Sequence, residues 1–144
     1  MSLRLLAVAG ALVLVTATAA AQSSPAMPPP PTTDLVVAGR KLGNWILSNQ
    51  LDSVVLNLAP NSNADTVRME LTRLVGEIAI HGGNELKVNE EKVVRRNGRY
   101  QYWRISEFEN APSTVLLRIV LTPDGKYAGI GIGLLNNAPP TDPE

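Results

Sequence analysis

The chain has 144 residues, no cysteine, one histidine, and 13 basic against 13 acidic side chains. Without cysteine there are no disulfides, thiolate metal sites or cysteine nucleophiles, and a formal net charge of zero gives no electrostatic reason to seek nucleic acid or anionic lipid. The length suits one domain with its own core.

Met1-Ser-Leu-Arg4 carries one positive charge, Leu5–Val15 has no polar side chain, and Ala19-Ala20-Ala21 precedes Gln22. Charged start, apolar core and small residues before a polar one are the parts of a secretory signal, with cleavage expected after Ala21. The apolar core falls well short of the about 20 residues that a spanning helix needs. No stable membrane anchor is therefore expected after cleavage. A small exported domain without disulfides points to a bacterial periplasm or exterior. Gln22 to Thr33, with Pro28-Pro-Pro-Pro31, reads as a proline-rich linker in extended geometry.

The domain is expected over residues 34–136. A first helix starts at Thr33 or Asp34, both suitable caps, and Leu35, Ala38, Leu42, Trp45 and Ile46 share one face. Gly39 and Gly43, four apart, let another element approach closely. Leu51, Val54, Val55 and Leu58 mark a short second helix stopped by Pro60. Asn61 to Asp65 caps a third helix whose apolar stripe is Val67, Leu71, Leu74, Val75 and Ile78, with Arg73 and Glu77 as an exposed pair. It ends at Gly76 or at Gly82-Gly83. The same Asn61–Asp65 stretch lacks the glycine and glutamate of a calcium loop, so it reads as a cap.

From Glu85 the pattern changes to strands. Asn97-Gly98 signals a two-residue hairpin. Thr114 to Leu121 is β-branched and apolar, Pro123-Asp124-Gly125 is a turn, and Tyr127 to Leu135 is a last strand. Residues 137–144 read as a disordered tail. The class is α+β: three N-terminal helices packed on a curved four-stranded antiparallel sheet.

Helices first, a meander second, the Gln50-Leu-Asp52 turn, the Arg95–Arg99 hairpin and the close Leu121-Thr-Pro-Asp-Gly-Lys-Tyr-Ala-Gly129-Ile-Gly-Ile together resemble an uncharacterised exported bacterial domain of the nuclear-transport-factor-2-like (cone) superfamily. That domain is found ahead of α/β-hydrolase or peptidase-like domains. The resemblance spans Asp34 to Leu135, and no hydrolase-like sequence follows Leu135 in these residues. It implies a cone whose helices and sheet enclose an apolar pocket, and dimerisation across the sheet. It does not imply one function.

Alternation along Arg99–Glu109 puts Trp103, Ile105 and Glu107 on one strand face and Tyr100, Tyr102, Arg104, Ser106 and Phe108 on the other. Trp103 and Ile105 suit the concave face, so a ligand pocket is expected from Trp45, Trp103, Ile105, Glu107 and His81. Tyr100, Tyr102 and Phe108 then form an outer face, a homodimer surface. Gly129, Gly131 and Gly133 bare one face of the last strand to a packed helix, a ligand or a second protomer. Lys92, Arg95, Arg96 and Arg99 read as a solvated hairpin tip. His81 lacks the G-x-S-x-G context of a serine hydrolase, and neither a metal site nor a cofactor is expected. The leading reading is a non-catalytic exported domain that binds a small apolar or amphipathic ligand or an envelope protein. Alternatives are a small pocket enzyme, isomerase or hydrolase-like, using Glu107 or His81, and a structural dimer.

Overall fold

A computed structural model describes residues 26–144; the expected signal sequence and its cleavage site lie outside the described residues. The chain is α+β, with helices α1 (Leu35–Leu47), α2 (Leu51–Val55) and α3 (Ala64–His81) before strands β1 (Glu85–Arg96), β2 (Arg99–Phe108), β3 (Val115–Leu121) and β4 (Tyr127–Leu134). The strands form one antiparallel sheet in the order β1-β2-β3-β4.

Local chemistry sets the boundaries. Asp34 caps α1, its Oδ1 accepting from the Val36 and Val37 amides at 2.9 and 3.1 Å, which satisfies donors that a helix start leaves free. Asn63 does the same for α3 through the Thr66 amide at 2.9 Å. Of the two ends open to α3, the chain takes the later: Gly76 lies inside the helix, and Gly82 and then Gly83 at φ +71° follow its last residue. α2 stops five residues before Pro60, because Asn57–Ala59 leaves the helix to bridge Tyr127 in parallel. Asn97 and Gly98, at φ 52° and 68°, make the tight β1–β2 turn that joins Arg96 to Arg99. Gly125 at φ +80° turns β3 into β4, with Thr122 Oγ1 accepting from the Lys126 amide at 2.9 Å.

α1 packs on the first three strands. Its buried face is Leu35, Gly39, Leu42, Gly43 and Ile46. These meet Tyr102, Leu117, Ile119, Leu121 and Tyr127 of the sheet and Leu71 of α3 in one core cluster. Trp103, Ile105 and Leu116 form a second, smaller cluster with Leu135 against it.

The strand alternation on β2 is as expected, but its polarity is reversed. Tyr102 faces α1 and is fully buried, whereas Trp103 and Ile105 pack in the second cluster, away from the helices. The reason is α1's pair of glycines. Gly39 brings the helix so close that a Cβ there would stand 2.2 Å from Tyr102 Cγ, and the flat tyrosine ring fills the space the glycines leave. Tyr100, Tyr102 and Phe108 therefore do not form an outer surface, and Trp103 and Ile105 do not line a helix-side pocket.

Both ends of the described residues lie against the domain. Tyr100 Oη donates to the Pro29 carbonyl at 3.0 Å, and the Thr32 amide to that of Pro123 at 2.9 Å. The segment expected to be a loose tail is anchored too. Asp142 accepts from the Asn97 and Gly98 amides at 2.8 and 2.9 Å, and Arg95 donates to the Pro143 carbonyl at 2.9 Å. The hairpin turn leaves two amides pointing outward, and a carboxylate satisfies both.

Candidate functional site

Two constellations stand out. The first joins α1 to the β1–β2 ladder. Arg104, on the Tyr102 face of β2, lies under α1 and is 8% exposed. Its guanidinium donates through Nε and Nη2 to the two Glu85 oxygens at 2.8 and 2.6 Å, and through Nη1 to Asn44 of α1 at 2.9 Å. Ser106 Oγ donates to Glu85 at 2.5 Å. Beside this pair, Glu91 accepts from Arg40 of α1 at 2.9–3.1 Å and from the Tyr102 hydroxyl. Burial and, less strongly, the Glu91 charge work to raise the Glu85 carboxyl; the hydrogen bonds from Arg104 and Ser106 and the Arg104 charge outweigh them and hold the group below its ordinary 4.5. Arg40 is the main cause holding Glu91 low. Burial, then Glu91, pushes the Tyr102 hydroxyl up. Every charge is partnered inside the fold, so this network ties a helix to a sheet and leaves no group free for chemistry.

The second is an open groove of about 250 Å³ between the C-terminal half of α3 and the neighbouring end of the sheet. Leu74, Ile78 and His81 come from one helix face by their spacing of four and three. Ile132 and Leu134 come from β4, Phe108 from the end of β2, Val115 from the start of β3 and Pro112 from the loop between them. The groove exists because α3 is anchored through Leu71, its one fully buried residue, while its later residues stand off the sheet. Its floor and walls are aliphatic and aromatic; Glu77 and His81, both exposed, put the polar groups at the rim. The arrangement can take up an apolar group and present a carboxylate and an imidazole beside it.

Of the residues expected at a pocket, His81 alone lines this groove, and Phe108, expected at an interface, joins it. Trp45 is half-buried at the margin of the core with Lys41 Nζ 4.8 Å from its ring centre. Trp103 donates through Nε1 to Gln101 at 3.0 Å, in the second cluster with Ile105. Glu107 is exposed and accepts from Asn89 at 3.1 Å. Glu107 and His81 are therefore not gathered around one cavity. Tyr100 and Tyr102 are spent on Pro29 and Glu91. Leu74 and Ile78 were visible as part of α3's stripe, but nothing in that periodicity says which turns of a helix reach the sheet. Ile132 and Leu134 carried no signal beyond an apolar strand.

Among the described residues, no group of three or more His, Cys, Asp or Glu side chains is placed to hold a metal ion, and no helix is long and apolar enough to cross a membrane. No family model, curated protein or solved structure matches the chain.

Proposed function

We propose that this chain is an exported, non-catalytic binding domain that receives an apolar group of a ligand or partner in the groove between α3 and β4. The observation that carries the reading is the groove itself: an open, apolar recess bounded by Leu74, Ile78, Phe108 and Ile132, with polar side chains only at its rim. Recesses of this kind, apolar inside with few polar groups at the edge, are where proteins hold apolar ligand groups. Export rests on the residue pattern of the first 21 positions. The resemblance to cone domains implies a pocket between helices and sheet, whereas the groove here is open and takes its helical wall from α3 alone.

The test is a thermal-shift titration of residues 22–144 with the amphipathic dye 8-anilinonaphthalene-1-sulfonate and with medium-chain fatty acids. A ligand specific to the folded state stabilises it by about 2.7 kcal/mol at a hundredfold excess over its dissociation constant. That moves the midpoint by a few degrees for a domain of this size. Leu74→Glu, which places a charge inside the groove, is expected to abolish the shift. Equal shifts in both proteins, or none in either, would overturn the reading.

A further inference from the structure

The two edges of the sheet are built differently. The β1 edge carries Lys87, Glu90, Glu91 and Lys92 and two register shifts, at Glu85/Lys87 and at Val88/Glu90. Charges and bulges are what keep an edge from pairing with another chain. The β4 edge, Tyr-Ala-Gly-Ile-Gly-Ile-Gly-Leu from Tyr127 to Leu134, has no charge and no proline, and its one register shift lies at the start, between Tyr127 and Gly129; from Gly129 to Leu134 the pairing is regular. Among the described residues, Gly129 to Leu134 is the stretch of edge left unprotected.

The chain itself begins to use that edge. Leu58 bridges Tyr127 in parallel, the Tyr127 amide donating to the Asn57 carbonyl and the Ala59 amide to the Tyr127 carbonyl, each at 2.8 Å. The addition stops after one bridge because the chain turns away: the Ala59 carbonyl accepts from the Ser62 amide at 3.3 Å, and Asn61 takes a φ of 64°. From Ala128 to Leu134 no further backbone partner lies on that side among the described residues.

Helix α3 supplies a second wall. Leu71 shares the core with Tyr127 at the start of β4, and Leu74, Ile78 and His81 stand across the groove from Ile132 and Leu134 at its end, so helix and strand run side by side in one direction. On the opposite face, a Cβ built at Gly133 meets nothing within 4 Å, so that side of an added strand is unobstructed.

We infer that an extended, uncharged peptide segment of a partner protein adds to β4 as a fifth strand and sends alternate apolar side chains into the groove beneath α3. The volume decides for side chains over a whole ligand. At about 250 Å³ the recess lies below the roughly 300–1,000 Å³ of pockets that enclose a small molecule. Strand addition takes affinity from main-chain hydrogen bonds and specificity from pockets for every second side chain. An uncharged edge above an apolar recess selects an uncharged, apolar-alternating segment. The inference rests on the groove being the binding site proposed above.

The experiment uses residues 22–144 and a fluorescein-labelled heptapeptide of alternating valine and threonine, read by anisotropy and by amide hydrogen exchange. Binding is expected to saturate, to slow exchange at residues 128–134, and to weaken at least about tenfold when alternate peptide amides are N-methylated, since those amides make the ladder. Gly133→Lys puts a charge on the edge where there is open space, so the fold is kept while peptide binding falls by at least about tenfold; Leu74→Glu is the second variant, with its fold checked by circular dichroism. Equal binding of the N-methylated peptide, or slowed exchange elsewhere, overturns strand addition. So does a failure to bind up to about 1 mM while the dye still occupies the groove, an outcome that leaves the binding reading standing; if neither binds, both fall. Concentration-dependent dimerisation that protects residues 128–134 without peptide overturns the inference in favour of a second copy of this chain.

Discussion

A methyl group added at Gly39 would stand 2.2 Å from Tyr102 Cγ, whereas one added at Gly76 would meet nothing within 4 Å. The same substitution should therefore have opposite signs at two helical positions. Gly39→Ala forces α1 off the sheet and is expected to cost about 1–3 kcal/mol, as overpacking of a core does. Gly76→Ala, on the exposed side of α3, is expected to gain roughly 0.5–1 kcal/mol from helix propensity. Urea unfolding of the two variants checks both signs. The spacing of Gly39 and Gly43 announced a close approach in the sequence, but the approaching residue was not legible. A period of two separates Tyr102 from Trp103 without saying which of them faces the helices. The glycines of β4 show the same limit. They bare a face as expected, yet what lies across Gly131 is the Arg118 side chain, whose Nη2 would be 2.5 Å from a Cβ there, and not a helix.

Between elements, the Glu85–Arg104 and Arg40–Glu91 pairs join α1 to the two strands beneath it. Both carboxyls titrate below their ordinary 4.5 in the folded chain, so the native state binds fewer protons than the unfolded one. The stability they contribute is complete above the unfolded value and is lost as pH falls through the lower folded values. Glu85→Gln leaves the Arg104 charge half-compensated under α1 and is expected to cost about 3 kcal/mol at pH 7. Its denaturation midpoint should also depend less on pH below 4.5 than that of the parent chain; an unchanged acid profile would count against Glu85 as a stabilising group. Arg104 was legible as a charge on the Tyr102 side of β2. Its partner was not, because β1 reads as a mixed charged run. The two register shifts space the helix-facing residues Glu85, Val88 and Glu91 by three, and two such steps return both glutamates to one face where no alternation shows them.

Over the whole molecule, every strand pairs with its neighbour in sequence, while α1 reaches its partner strand across 60 residues, from Asn44 to Arg104. Hairpin order was readable from Asn97-Gly98 and Pro123-Asp124-Gly125, since turns are local chemistry; the docking of Asp142 was not, because it satisfies amides 44 and 45 residues away. Short-range pairings close with less entropy lost than long-range ones, so the meander is expected to form ahead of helix docking. Leu117→Ala on β3 should slow refolding, and Leu42→Ala on α1 should mainly speed unfolding, in stopped-flow kinetics. The order of helices before strands has a consequence for synthesis. α1, α2 and α3 leave the ribosome first, with their apolar faces matched to strands not yet made, and the core cannot close until Tyr127 and the β4 isoleucines have followed. The helices thus wait without the surface they pack on until the last strand has been made, and a chain cut before Tyr127 is expected to leave that apolar face uncovered.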